Sequence, residues 1–382
     1  MNRITGRYVV TTTLGETVKA FVPLALPPAK PSLDINHYAA QNQAAESALA
    51  RLSSVAGLVP STEWLLYSAI RKEALLTSQI EGTQATLVDL FDDEAGLTLT
   101  NADDVEEVTN YLRAFRYVRE QLHHPKGLPI STRLLCEAHR LLLDGARGIN
   151  KQPGALRRSQ NWIGGSRPGN AVFVPPPPEK LAGLLSDLET YIHQRKPSLP
   201  ALINIALVHA QFETIHPFLD GNGRIGRLLI AVLLESSGLQ PEPLLYLSGT
   251  LKQHQQQYYQ LLSDIRTKGD WEGWVTFFLN AIISAANDAE KSVVSIATLV
   301  AQDRKRVLAA VKATPATYRL FERLPTMPKF TIEHVRLALD TTFPTANATV
   351  KVLCDIGITN EVTGQKKNRT FSYTAYIALL SK

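Results

Sequence analysis

The feature that most constrains this chain is a break between two apolar helical runs. Ala201–Ile215 sets Leu202, Ile205, Ala206, His209 and Phe212 at helical spacing, and Leu228–Leu234 is apolar enough to be a second buried helix. Between them Pro217 removes a backbone donor, while Gly221 and Gly223 admit backbone angles that other residues avoid. Helix, glycine-rich loop, helix is the expected local fold, at the centre of a mainly α protein.

The loop's residues suit phosphate. Consecutive N–H groups at Gly221, Asn222 and Gly223 can converge on an anion where the next helix presents its positive end. Arg224 and Arg227 share one face of that helix's first turn and can clamp neighbouring phosphates. Cations in this position oppose the helix dipole, so they need an anionic partner. Asp220 offers the hard oxygen ligation that Mg²⁺ accepts beside substrate phosphates. His216, titrating near neutrality, suits a general base acting on a hydroxyl. The P-loop pattern and the kinase glycine loop with its His-Arg-Asp partner are both missing, which excludes the usual nucleotide folds. These residues alone do not say which phosphorus is attacked.

The stretch His216-Pro217-Phe218-Leu219-Asp220-Gly221-Asn222-Gly223-Arg224-Ile225-Gly226-Arg227 resembles, without departure, the signature of the Fic family of AMP transferases. That resemblance implies transfer of AMP from ATP to a Ser, Thr or Tyr hydroxyl of a protein, with release of pyrophosphate, on a helical core. It implies that His216 deprotonates the target hydroxyl and that Asp220 holds Mg²⁺ on the α and β phosphates. The amides of Gly221 to Gly223 would then bind phosphate and Arg227 would meet the γ-phosphate, with Arg224, Ile225 and Gly226 completing the ATP-binding stretch. Tyr259 and Leu262 fall where the similar family places its adenine pocket. Arg157–Val174 holds two β-prone runs around Pro168-Gly169-Asn170, the pattern of a hairpin. In Fic proteins a flap at this place adds the target's backbone as a strand. Ile163, Gly164 and Gly165 are therefore candidate ATP-site residues as well.

Thr77-Ser78-Gln79-Ile80-Glu81-Gly82 is similar to the family's inhibitory helix, Ser/Thr-x-x-x-Glu-Gly/Asn, in the subgroup that has it before the core of the same chain. The resemblance implies that Glu81 pairs with Arg227 and displaces the γ-phosphate, with Thr77 as the second marker of inhibition. Two alternatives stay open. The same site can remove AMP or transfer another nucleotide or phosphate group, and the chain can be a DNA-binding regulator whose core senses nucleotide.

A chain of 382 residues has room for two or three domains. No apolar run reaches about 18 residues, so no membrane span is expected. Met1–Ala20 lacks the apolar core of a secretion signal, and Cys136 and Cys354 fit no metal spacing, which together point to a cytoplasmic protein. The net charge of +5 is uneven, since residues 296–382 hold 13 Lys+Arg against 6 Asp+Glu. Expected units are an amino-terminal arm and inhibitory helix (1–100), a Fic core (101–290) and a winged-helix-like α+β module (296–382). The first 60 residues, with Pro27, Pro28 and Pro31, read as an extended arm. Helices are expected over Trp64–Ile80, Val105–Leu122, Ser131–Leu143, Leu181–His193 and Tyr258–Ile265. In the module, helices over Thr331–Leu339 and Pro344–Ile356 precede strands Ile358–Val362 and Thr370–Tyr373 around the basic turn Gly364–Arg369. Such a module would set Thr345, Asn347, Thr349 and Lys351 in a DNA major groove. Expected partners are ATP, a protein bearing a hydroxyl (the chain itself included) and DNA, with a homodimer left open.

Overall fold

The chain opens on a hairpin rather than an arm. Strands β1 (Gly6–Thr13) and β2 (Glu16–Pro23) pair antiparallel, turning at Leu14 and Gly15, both at positive φ. Helix α1 (Ile35–Val55) follows. The expectation of an extended, weakly periodic segment over the first 60 residues is therefore corrected. The α1 stripe is made partly of small residues, with Ala45 and Ala48 beside Leu49 and Leu52, so hydropathy shows its period only faintly. The computed structural model describes residues 3–99, 101–145, 149–195 and 197–381.

Helix α2 (Thr62–Ile80) starts where Ser61 accepts a hydrogen bond from the Glu63 amide, and stops at Glu81 before Gly82 at φ 107°. Then come α3 (Leu87–Glu94), α4 (Ala102–His123), α5 (Thr132–Leu142) and α6 (Leu181–Ile192). Helices α7 (Ala201–Ile215) and α8 (Asn222–Ser236) form the core pair, followed by α9 (Leu247–Gln253), α10 (Gln255–Lys268) and α11 (Trp271–Ala309). Helix α7 is buried on nearly every side, as its continuous apolar sequence requires. Helix α11 spans 39 residues and packs along α1. It runs unbroken through residues 290–296, so the covalent link between core and carboxyl-terminal module is helix.

The module comprises α12 (Pro315–Phe321), β3 (Lys329–Thr331), α13 (Ile332–Leu339), α14 (Phe343–Asp355), β4 (Asn360–Glu361), β5 (Thr370–Ser372) and α15 (Thr374–Leu380). Its strands lie in the order β3-β5-β4, all antiparallel. It docks back on the core: α15 packs on α11, residues 324–326 on α2, and Lys329 pairs with Asp92 of α3. On α14, Thr345 and Lys351 are exposed and Asn347 accepts a hydrogen bond from Arg369, but Thr349 is buried. Thr349 therefore packs inward and cannot face a groove, a correction that follows from its place on the same helical stripe as Ala346, Val350 and Leu353.

The expected flap hairpin is reduced to a single bridge, Ile163 to Phe173, with residues 168–170 in a 3₁₀ turn. Its second limb pairs elsewhere: the Phe21 amide of β2 donates to the Val174 carbonyl, and Val174, Trp162 and Ala171 pack on Val18 and Ala20.

Trp274 of α11 is fully buried and its indole N–H donates to the Ala206 carbonyl of α7 at 2.9 Å. Trp274→Phe loses that bond and leaves a void, so the unfolding free energy should drop by about 2 kcal/mol. Urea titration measures this, and an unchanged midpoint would contradict the packing described.

Candidate active site

Helix α7 ends at His216, which adopts a left-handed conformation (φ 50°) while its amide still bonds the Phe212 carbonyl at 2.9 Å. A left-handed residue at this point turns the chain out of the helix and into the loop. Arg157 fixes the turn. Its Nε donates to the His216 carbonyl at 2.8 Å, its Nη2 to the Pro176 carbonyl at 2.5 Å, and its own amide to the Pro217 carbonyl at 3.0 Å. Desolvation, with the Arg157 charge beside it, presses the His216 imidazole down to about 4. At neutral pH the ring is uncharged, and among the described residues its Nδ1 makes no hydrogen bond.

The loop is held by its own side chains and by α5. Asn222 accepts from the Phe218 amide and donates to the Phe218 carbonyl, both at 2.9 Å. His139 accepts from the Gly154 amide through Nδ1, which leaves Nε2 to donate to the Asp220 carbonyl at 3.0 Å. Its ring stacks on Phe218 at 3.8 Å, and burial lowers its pKa to about 4. Gly221, at φ 74°, makes the N-terminal junction of α8, so the helix starts at Asn222 rather than at the apolar run from Leu228.

One detail of the expected amide cradle is corrected. The Gly221 amide donates to its neighbour Asp220 at 2.6 Å and is not available to a ligand. Among the described residues the amides of Asn222, Gly223 and Arg224 make no hydrogen bond, and these are the open donors of the first turn.

Arg227 is 3% exposed and reaches α2. Its Nε donates to Thr77 Oγ1 at 2.6 Å, and its Nη2 donates to the Thr77 carbonyl at 3.1 Å and to Glu81 Oε1 at 2.5 Å. Burial works against the Arg227 charge, and the Glu81 carboxylate outweighs it, so the guanidinium stays firmly protonated. A Cβ placed on Gly223 would lie 2.3 Å from Glu81 Oε1. The Glu81 carboxylate thus sits over the first turn of α8, beside its open amides. Arg224 is buried and paired with Glu107 of α4 at 3.2 Å, and with Asp220 more loosely at 3.6 Å. Ile225 is buried in the core and Gly226 faces Glu213, whose Oε1 would stand 2.4 Å from a Cβ there.

The other expected residues are spread more widely. Asn161 donates to the Phe218 and Leu219 carbonyls at 3.5 and 3.4 Å, rooting the flap on the loop. Among the described residues no hydrogen bond joins Ile163, Gly164 or Gly165 to that loop. Leu262 is buried, while Tyr259 is 46% exposed and its hydroxyl lies 3.5 Å from Gln255, which also donates to the Ile80 carbonyl. Asp220 has its side chain 44% exposed. Among the described residues no three His, Cys, Asp or Glu side chains converge, so a cation at Asp220 would need ligands from phosphate and water.

Sequence reasoning passed over four residues here. Arg157 and His139 act on backbone carbonyls distant in sequence, which leaves no pattern to read. Glu213 is buried behind Arg227, and burial pushes its carboxyl up to about 7. The Arg266 guanidinium lies 3.9 Å from the Phe173 ring centre. A charged residue inside an otherwise apolar helical stripe was the available signal for Glu213.

Comparison with known proteins agrees with this geometry. Residues 39–120 match the model of the Fic/DOC family N-terminal region, and residues 129–234 match that of the Fic/DOC family. The chain is 31% identical over 202 residues to the protein adenylyltransferase Fic of Drosophila grimshawi, covering 52% of this chain and 38% of that protein. Its namesake in Aedes aegypti is 31% identical over 176 residues, 46% of this chain and 32% of the relative. The chain thus spans under two fifths of these relatives' length. Among solved structures, a Fic family protein from Desulfovibrio desulfuricans superposes with a TM-score of 0.54 at 20% identity, covering 86% of this chain and 95% of that one. A Fic domain containing signaling protein from Bacteroides thetaiotaomicron gives 0.53 at 21%, covering 65% and 97%. With its motif loop closing α7 onto α8, its two family regions adjoining and its fold shared with these structures, the chain belongs to the Fic/DOC family.

Proposed function

We propose that the chain is a protein adenylyltransferase held off by its own α2, moving AMP from ATP to a hydroxyl of a protein. The observation that carries this reading is the Arg227–Glu81 pair set above the open amides of α8. An anion belongs in that place by the physics of the helix terminus, and the chain supplies one itself. The relatives named protein adenylyltransferase support AMP as the group transferred.

In the proposed reaction the neutral His216 takes the proton of the target hydroxyl as its oxygen attacks the α-phosphorus. The new O–P bond forms as the bond to pyrophosphate breaks, and pyrophosphate leaves with the electron pair. Arg224, Arg227 and the amides of Asn222 to Arg224 offset the charge gathered on the phosphates. Asp220 would hold Mg²⁺, which supplies further neutralisation of that charge when bound. Arg157 acts as a positioning residue, fixing the backbone on which the His216 ring is mounted. While Glu81 holds Arg227, the γ-phosphate meets a carboxylate instead of a guanidinium. Glu81 sits at a helix end next to Gly82, so its side chain can swing away without unwinding α2.

Labelled ATP tests the assignment. Glu81→Gly should raise AMP incorporation at least tenfold over the wild type, and His216→Ala in that background should abolish it. Equal labelling in all three proteins would sink the proposal. Arg157→Met, also in the Glu81→Gly background, should lower kcat about tenfold or more with little change in KM for ATP. A change in KM alone would show that Arg157 shapes the ATP site instead. For the pH profile, the active form is the unprotonated imidazole, so activity should be level from pH 8 down to about 5.5 and fall only as pH drops toward the His216 pKa of about 4. A decline centred near pH 6.5 would refute the desolvated, Arg157-flanked imidazole.

A further inference from the structure

A cavity of about 630 Å³ shares no lining residue with the His216–Arg227 loop. It is walled by α2, α9, α11 and α15, where the carboxyl-terminal module meets the core. Three lysines line it: Lys72 of α2, Lys252 of α9 and Lys291 of α11. By helical periodicity Lys72 and Leu76 stand on a different face of α2 from Thr77.

The charges in this cavity are poorly matched. Lys72 is half-buried, its ammonium lies 4.5 Å from the centre of the Tyr246 ring, and among the described residues no carboxylate comes within ion-pair distance of it. Burial pushes its pKa down, and the more distant Asp288 carboxylate offsets this only in part. Lys252 is bonded to the neutral Gln79 Oε1 at 2.7 Å, a contact that a charged oxygen would readily replace. The cavity's own carboxylate, Asp288, is engaged by Lys291 at 3.1 Å. Thr250, Ser292 and Ser295 add hydroxyl groups to the same walls. Ammonium groups without arginine favour phosphate taken as a compact charge over a planar carboxylate held by a fork.

We propose that this cavity is a second anion site, taking a small multiply phosphorylated molecule of nucleotide size against Lys72, Lys252 and Lys291. Its volume lies within the range of small-molecule sites, roughly 300–1,000 Å³, and enclosure by four elements favours a free molecule over an extended chain.

Calorimetric titration of the full chain with ATP, pyrophosphate and inorganic phosphate at low salt tests this. A binding event should persist in Arg227→Ala and weaken at least tenfold in Lys72→Met/Lys252→Gln, a double variant whose melting temperature is checked for folding. ATP binding more tightly than pyrophosphate at this event would assign the cavity to nucleotides, and equal binding would assign it to the phosphates alone. The proposal falls if no probe saturates, or if all binding disappears in Arg227→Ala and is unchanged in the lysine variant. Amine labelling of the wild-type protein, read by mass spectrometry, gives a second measure that needs no variant. Lys252 should be protected by the bound probe, and equal labelling with and without it would overturn the site.

Discussion

A buried guanidinium at the start of a helix is the constraint around which the rest of this structure is arranged. Arg227 is the sixth residue of α8 and its side chain leans back over the first turn, where the helix dipole disfavours a cation, and its burial removes the water that would otherwise solvate it. Such a group needs a fixed anion. Stripping the partner from a buried pair costs about 3–5 kcal/mol, toward the lower end here because the Glu81 side chain is 33% exposed. On the proposed reading, carboxylate and phosphate are therefore competitors for one guanidinium. The position of α2 matters to the site for the same reason. It is anchored from another side by the buried Glu73, which accepts hydrogen bonds from the Ser248 amide and hydroxyl. On the proposed reading the helix stays fixed while its terminal side chain gives way to phosphate.

Burial, with positive charge beside it, explains the histidines. Arg157, Arg224 and Arg227 crowd the loop, and His139, His209 and His216 are all pushed well below their usual range by desolvation, to about 4, 3 and 4. An imidazolium among these guanidiniums would be repelled as well as desolvated. On the proposed reading, structural and chemical needs coincide at His216, because a neutral ring is also what proton abstraction requires. At His139 the neutral tautomer instead does mechanical work, bridging the Gly154 amide to the Asp220 carbonyl.

What could be read from the sequence follows from how local each interaction is. The break between α7 and α8 is announced by Pro217 and Gly221, and the start of α2 by Ser61, because turns and caps are decided within a few residues. The pairing of Glu81 with Arg227 was legible only through family resemblance, since nothing local connects positions 146 apart, and the contact of Thr77 with Arg227 was not legible at all. Arg157 was not legible at all, its partners being backbone carbonyls that have no residue type. The β1–β2 hairpin was missed because its outward faces are exposed and its inward contacts go to the flap, as Phe21 bonding Val174 shows. The flap is irregular although its second limb bonds on both sides, to Ile163 within the flap and to Phe21 of β2.

The motif's glycines take on separate meanings once the contacts are known. Gly221 alone uses left-handed backbone, at φ 74°, to start the helix. Gly223 and Gly226 lie inside α8 in ordinary helical conformation, where glycine costs about 1 kcal/mol relative to alanine. Their value is proximity. A Cβ at 223 would meet Glu81 Oε1 at 2.3 Å and Arg227 Nη1 at 2.9 Å, and a Cβ at 226 would meet Glu213 Oε1 at 2.4 Å. Both positions are left bare so that a carboxylate can come close to the helix backbone, and a phosphate oxygen seated at the first turn would need the same clearance at 223. On the proposed reading, the absence of a side chain there serves the self-inhibited and the substrate-bound arrangements alike. That shared requirement ties the proposed inhibition to the motif itself, because a residue that excluded Glu81 by bulk at 223 would exclude the nucleotide too.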